Sequence, residues 1–265
     1  MTDTPDDLAR ELHSARAEDR AVPLASPPSL ADARAVLARL GALEDSPAVG
    51  FKIGATTTAT LGMLGLDRPF FGALHARHHH RDGATVHLPR SRPASVEVEA
   101  VVEIAADIVL GPDRAGPAGQ DAERVARVAE AAGPVRVGLE FVGTRFDVAL
   151  PGHGTALVAD AAGNVATVLG EGSGHAGDPA GIAREVATLE IDGTRVASGT
   201  GGDSLGGHPF AMVAWLLGRA AFAERGLRAG EIVFCGTHTG AVPVVPGQRV
   251  AADFGSLGTV SAVLG

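Results

Sequence analysis

Tyrosine is absent from this chain of 265 residues, tryptophan and cysteine occur once each, and aromatic residues make up only 4%. A lone cysteine, Cys235, cannot close an intrachain disulfide, which fits a reducing compartment. Within EIVFCG it reads as a small buried apolar residue. Basic residues are outnumbered, 22 against 31, for a formal net charge of −9, and no basic stripe gathers them, so nucleic-acid binding is not expected. No apolar run approaches the roughly 20 residues that cross a bilayer. The N-terminal MTDTPDDLARELHSARAED carries Asp and Glu where a secretory signal needs positive charge and an apolar core. A cytoplasmic protein with no membrane partner is expected.

What the chain does have is glycine, 36 of them, in a 45% hydrophobic sequence long enough for a substantial core. That combination favours short elements joined by tight turns over a helical bundle. Residues 1–28 begin polar and end in AVPLASPPS, which reads as a mobile join. A short helix follows, with Ser29 as N-cap, Asp32 three residues on, a stripe of Leu30, Ala33, Leu37 and Leu40, and Gly41 as a left-handed stop. Helical spacing returns in DAERVARVAEAAG (121–133), with Gly133 as the stop. It returns again in HPFAMVAWLLGRAAFAERG, expected to be the longest helix and to pack on a sheet. Asp192-Gly193 between two alternating runs predicts a hairpin. GEIVFCG, QRVAADF and GTVSAVLG supply the last strands.

The chemistry gathers in two of the strands. In SVEVEAVVEI (95–104), Glu97 and Glu99 share one parity with Glu103, while Val96 and Val98 face the other way. In VRVGLEFVG, Arg136, Gly138 and Glu140 likewise share a face. Two carboxylates at i and i+2, joined by a third from another strand, suit a hard cation such as Mg²⁺ or Mn²⁺. On the residues alone, the alternative stays open that these glutamates line a solvated sheet face. Lys52, between glycines in GFKIG, is either a proton-moving or carboxylate-holding amine or a surface charge. His78, His79 and His80 are consecutive and cannot easily converge on one ion, so a solvated loop is expected there. GTGGDSLGGHP lacks the ending of a P-loop, and no G-x-S-x-G elbow of a serine hydrolase is present.

Taken in order, GFKIGATTTATLGMLGLDRPFFGAL, VEVEAVVEI, VGLEFVGTRF, LVADAAGNVATVLG and the block from GGHPFAMVAWLL to GTVS resemble one family. It is the 2-keto-4-pentenoate hydratase / 4-oxalocrotonate decarboxylase family of the fumarylacetoacetate hydrolase superfamily. The resemblance implies an α+β fold built on a β-roll or distorted barrel with flanking helices. It implies a helical N-terminal segment, residues 1–47, before a catalytic domain, residues 48–265. It further implies a divalent cation, Mg²⁺ or Mn²⁺, held by Glu97, Glu99 and Glu140, with Lys52 as the catalytic residue. Thr237, Thr239, Asp160 and Phe70 fall where the family contacts substrate or shapes its pocket. The implied activity is hydration of a 2-hydroxy-2,4-dienoate in aromatic degradation, through a stabilised enolate. Decarboxylation of a 4-oxalocrotonate-type acid, C–C hydrolysis of a related 2-oxo acid, and a catalytically weak partner subunit are the alternatives. The implied partners are a small 2-oxo acid, further copies of the chain and a related enzyme subunit. The chain departs from the family pattern where Ala161 and Gly163 replace Asn and Ser, and where Phe70 replaces an acid. ADARAVLARL also stands where the family's A-Y-x-V-Q segment is usual.

Overall fold

The structure, a computed structural model, describes residues 4–111, 122–171, 179–200, 202 and 204–265. Helix α1 (Pro5–Ala17) begins where Thr4 accepts a hydrogen bond from the Asp7 amide and Pro5 needs no donor. The polar sequence had not suggested this helix. In α2 (Leu30–Leu43) the Ser29 hydroxyl accepts from the Asp32 amide as expected. Its buried stripe is Ala33, Val36 and Leu40, and the helix continues through Gly41, which is not left-handed. The Pro/Ser stretch is pinned at its start, contrary to a mobile join. There the Val22 amide donates to Arg145 O at 2.7 Å and Asp147 N donates to Val22 O at 2.9 Å.

From residue 48 the chain turns to strands: β1 (Ala48–Gly54), β2 (Phe70–His75), β3 (His79–Arg81), β4 (Ala84–Val86) and β5 (Ala94–Ile104). Helix α3 (Thr58–Leu64) links β1 and β2, and α4 (Ala122–Ala131) precedes β6 (Ala132–Gly143). The predicted stop at Gly133 therefore lies inside a strand, because α4 passes directly into β6. After α5 (Gly154–Ala159) comes a 3₁₀ turn, Ala161–Gly163, then β7 (Asn164–Leu169). All three turn residues are left-handed, with φ of 50°, 53° and 75°. Helix α6 (Pro179–Arg184) leads to the hairpin β8 (Val186–Ile191) and β9 (Thr194–Thr200), which turns at Asp192-Gly193 as predicted.

Helix α7 (Pro209–Leu217) has nine residues, all of them buried. It is not the expected long helix, since Gly218 caps it and Arg219 is extended, at φ −79° and ψ 146°. The chain closes with β10 (Ile232–Thr237), β11 (Val242–Val244), β12 (Arg249–Asp253) and β13 (Thr259–Leu264). Gly201 and Asp203 of the glycine-rich stretch lie outside the described residues.

Among the described residues, the larger sheet runs β2-β1-β10-β5-β6-β7-β3, with β11 also paired to β5. The smaller runs β4-β13-β12-β8-β9. Most pairings are antiparallel, but β1 with β10, β3 with β7 and β4 with β13 are parallel. This mixed-sheet, α+β architecture is the β-roll type expected. One core, including Val98, Leu139, Phe210, Trp215 and Phe254, lies between the two sheets and α7. A second, with Leu12, Leu40, Phe70, Phe146 and Val158, joins α1, α2 and α5. Cys235 is fully buried and unbridged, as read from its context. The histidine run is not a solvated loop: His79 and His80 lie in β3, half-buried, paired to β7.

Candidate active site

The long pairing of β5 with β6 sets Glu97 directly opposite Glu140, and Glu99 opposite Gly138. Strand parity sends Glu97 and Glu99 to the same side, and a carboxylate oxygen from each of the three glutamates lies within 4.8 Å of the others. Gly138 is needed here. A Cβ on it would come within 2.5 Å of the Phe234 ring and 2.6 Å of Val101.

The adjoining strand supplies an anchor. The register of β10 against β5 shifts between Phe234 and Thr237, and Gly236 takes up φ 99°. This turns the Gly236 amide to donate to Glu99 Oε2 at 2.7 Å. A side chain at 236 would collide with Thr56, whose Oγ1 stands 1.9 Å from the ideal Cβ position.

Lys52 lies on β1, three strand spacings from β6 in the order β1-β10-β5-β6. In a flat sheet that is roughly 14 Å of backbone separation. The two long side chains, reaching toward each other on one face of the sheet, span it, and Lys52 Nζ stands 3.2 Å from Glu140 Oε1. Asn164 Nδ2, from the first residue of β7, donates to the same Oε1 at 3.2 Å. Sequence reasoning missed Asn164, Gly236 and Thr56. For Asn164 the available signal was its place immediately after the ADAAG stretch.

Lys52, Glu99 and Glu140 are all buried, and Glu97 is partly so. Burial lifts Glu97 to about 7, assisted by the charge of Glu140 and opposed by Lys52. Burial also lifts Glu99 well above the usual carboxylate range, with Glu140 and Glu97 adding to it. Burial alone would lower the Lys52 ammonium, but Glu140, Glu99 and Glu97 outweigh it and hold the amine above its ordinary value. The amine is therefore charged as it stands. Glu99 Oε1 and Glu140 Oε2 are buried without a hydrogen-bond partner. Orphaned buried acceptors are costly. An all-oxygen donor set with free lone pairs facing one point fits a hard divalent cation.

The other expected residues distribute unevenly. The Phe70 ring packs on Lys52, its centroid 5.4 Å from Nζ, in a cation–π geometry. Thr237 pairs in register with Glu99, and its hydroxyl is buried without a partner. Thr239 ties its loop to β5 between Glu97 and Glu99: Oγ1 accepts from the Val98 amide at 3.1 Å and donates to Gly240 O at 3.1 Å. Asp160 is not brought to the triad. Its carboxylate takes Arg145 Nε at 3.0 Å, the Thr144 hydroxyl at 3.0 Å and the Arg145 amide. Glu103 turns to Arg136, at 3.1 Å, away from the carboxylate cluster.

No family model matches the chain. It is 32% identical over 221 residues to the "TodF product hydratase" of Pseudomonas putida, covering 81% of this chain and 75% of that protein. It is 30% identical over 215 residues to the 2-hydroxyhexa-2,4-dienoate hydratase of Comamonas testosteroni, covering 80% and 76%. The solved structure of 4-oxalocrotonate decarboxylase from Pseudomonas putida G7, complexed with magnesium and adipate, superposes with a TM-score of 0.83 at 25% identity. That match covers 98% of this chain and 97% of the other. With relatives of both activities covering four fifths or more of its length, the chain belongs to the 2-keto-4-pentenoate hydratase / 4-oxalocrotonate decarboxylase family of lyases.

Proposed function

We propose that the protein is a divalent-metal-dependent hydratase of 2-hydroxy-2,4-dienoates. The observation that carries this reading is the set of three clustered carboxylates with two unpartnered buried oxygens beside a charged, buried lysine. Glu97, Glu99 and Glu140 would hold Mg²⁺ or Mn²⁺, with Gly236 N and Asn164 Nδ2 fixing the orientation of two of the three. Such an ion supplies an electrophile for the keto oxygen of a 2-oxo acid and so favours the enolate. The chain's own work is orientation and proton handling. Lys52 Nζ attracts the substrate carboxylate or transfers the proton at the carbon skeleton, and Thr237 offers an uncommitted hydroxyl beside Glu99. Thr239 and Asp160 contribute by shaping the loops behind these groups.

One observation favours decarboxylation as the second reading: the Phe70 ring, rather than an acid, covers Lys52. An apolar neighbour favours a step in which a carboxylate's charge is spread into an enolate, as in carbon dioxide release, over delivery of water. Residues 48–265 would carry the catalysis, with residues 1–47 as a helical accessory in a cytoplasmic homo-oligomer.

Assay with Mg²⁺ or Mn²⁺ on 2-hydroxypenta-2,4-dienoate and on 4-oxalocrotonate separates the readings. Loss of dienoate absorbance without carbon dioxide is the expected result. Carbon dioxide from the second substrate alone would select the decarboxylase, and inactivity on both would leave the partner-subunit reading.

A further inference from the structure

A second polar site lies under α1 and meets the carboxylate cluster at Asn164, which lines the one and bonds Glu140 of the other. A cavity of about 320 Å³ opens between α1, the 87–92 segment and the ends of β6 and β7. Arg16, Arg92, Arg145, His78 and His87 line it, against two carboxylates, Asp19 and Asp160.

Asp160 is already paired, and Asp19 is bonded to neutral donors only. Asp160 is held by Arg145 and Thr144, and Asp19 accepts from the Arg90 amide at 2.9 Å and the Ser91 hydroxyl at 2.9 Å. Three guanidiniums, Arg16, Arg92 and Arg145, thus face two carboxylates, one positive charge in excess. Arg16 donates to Val165 O at 2.9 Å, and Arg92 donates to Arg20 O at 3.1 Å and to Ser91 Oγ at 3.3 Å. Among the described residues neither has a carboxylate within ion-pair distance, and the acids that act on them, Glu44 and Asp160 on Arg16 and Asp160 and Asp19 on Arg92, do so at longer range.

The consequences are visible in the charge states. Burial, then the charge of Arg145, brings the Arg16 guanidinium down to about 10. Burial, then Arg16, brings His78 down to about 3, so its ring is neutral. His78 Nε2 is buried and has no partner. A partly buried excess of positive charge is unfavourable unless an anion neutralises it. Planar guanidiniums are the side chains best suited to carboxylate and phosphate oxygens.

We propose that this cavity is an oxyanion site, with Arg16 and Arg92 as its charged ligands and His78 Nε2 as a neutral one. The shared chemistry is a small dianion, either free phosphate or the carboxylates of a short dicarboxylic acid. The site is chemically opposite to the glutamate cluster, and its two arginine ligands make no contact with those glutamates.

Isothermal titration of the full-length, metal-free protein with inorganic phosphate, and separately with succinate, tests this. Saturable binding of one or both is expected, and the stronger of the two identifies the source. Arg92→Gln and Arg16→Gln should each weaken binding about tenfold or more, with Arg92→Lys recovering part of it. Glu99→Gln should bind the anion as the unsubstituted protein does. Absence of saturable heat with both anions at millimolar concentration would overturn the proposal. So would binding that survives both arginine substitutions in variants with unchanged circular dichroism. Because the titration is run without metal, its failure would leave the hydratase reading untouched, and failure of the hydratase assay would leave this site standing.

Discussion

Asn164 shows how much one side chain can settle at the residue scale. Its amide and the Lys52 ammonium both hold Glu140 Oε1, which leaves Oε2 as the atom free to bind. Removing the amide in Asn164→Ala lets the Glu140 carboxylate rotate and keeps only the lysine contact. Affinity for Mg²⁺ or Mn²⁺ is expected to fall about 10–100-fold, as measured by titration calorimetry. The fold should be retained, since the lost contact is a single hydrogen bond. Unchanged affinity would show that Lys52 alone orients Glu140. The three glutamates were legible in the sequence because strand parity is a local rule, and the family resemblance supplied their convergence. Asn164 was not legible, because its contact depends on a turn that no spacing rule describes.

Individual elements were read well where punctuation was local and poorly where it was tertiary. The Ser29 cap and the Asp192-Gly193 hairpin are local and were predicted. The nine-residue α7 is fully buried, so packing on every side fixed its end at Gly218 while the apolar pattern ran on. Helix α1 escaped notice although Thr4, Pro5, Asp6 and Asp7 form a good helix start, because its polar composition reads as a tail. Strand β3 is the most instructive case. Three consecutive histidines suggested solvent, yet His79 pairs in register with Thr167 on β7 and shares a hydrogen bond with its hydroxyl at 2.9 Å. Burial, then the charges of His80 and Arg81, lowers His79 to about 4 from the ordinary 6.5. The folded state thus prefers the neutral ring. This stabilisation is complete above pH 6.5 and is lost as pH falls from 6.5 towards 4. In thermal melts across that window, His79→Gln should show a shallower loss of Tm on acidification than the unsubstituted protein. Parallel slopes would mean that His79 titrates normally.

Across the whole molecule, the strand order of the larger sheet matters most. It joins Lys52 of β1 to Glu140 of β6, so the site exists only while β1, β10, β5 and β6 stay paired in that order. No sequence pattern announces that order; the resemblance alone pointed to a roll. Gathering three glutamates in a buried place opposes folding, and under the proposed function a divalent cation would relieve it. Addition of Mg²⁺ or Mn²⁺ at a hundred times its dissociation constant should stabilise the protein by about 2.7 kcal/mol, seen as a rise in Tm that a chelator reverses. Glu99→Gln should abolish that rise. A Tm indifferent to both ions would mean that the carboxylates bind neither.

The left-handed run at Ala161, Ala162 and Gly163 has a practical side. Alanine sits poorly in that conformation, at roughly 1–2 kcal/mol per residue, whereas asparagine tolerates it. Ala161→Asn is therefore expected to raise Tm by a few degrees in calorimetry. The turn just ahead of β7 works as a sprung latch, wound tighter than its composition favours, and it offers a route to a hardier protein that leaves every acidic and basic group in place.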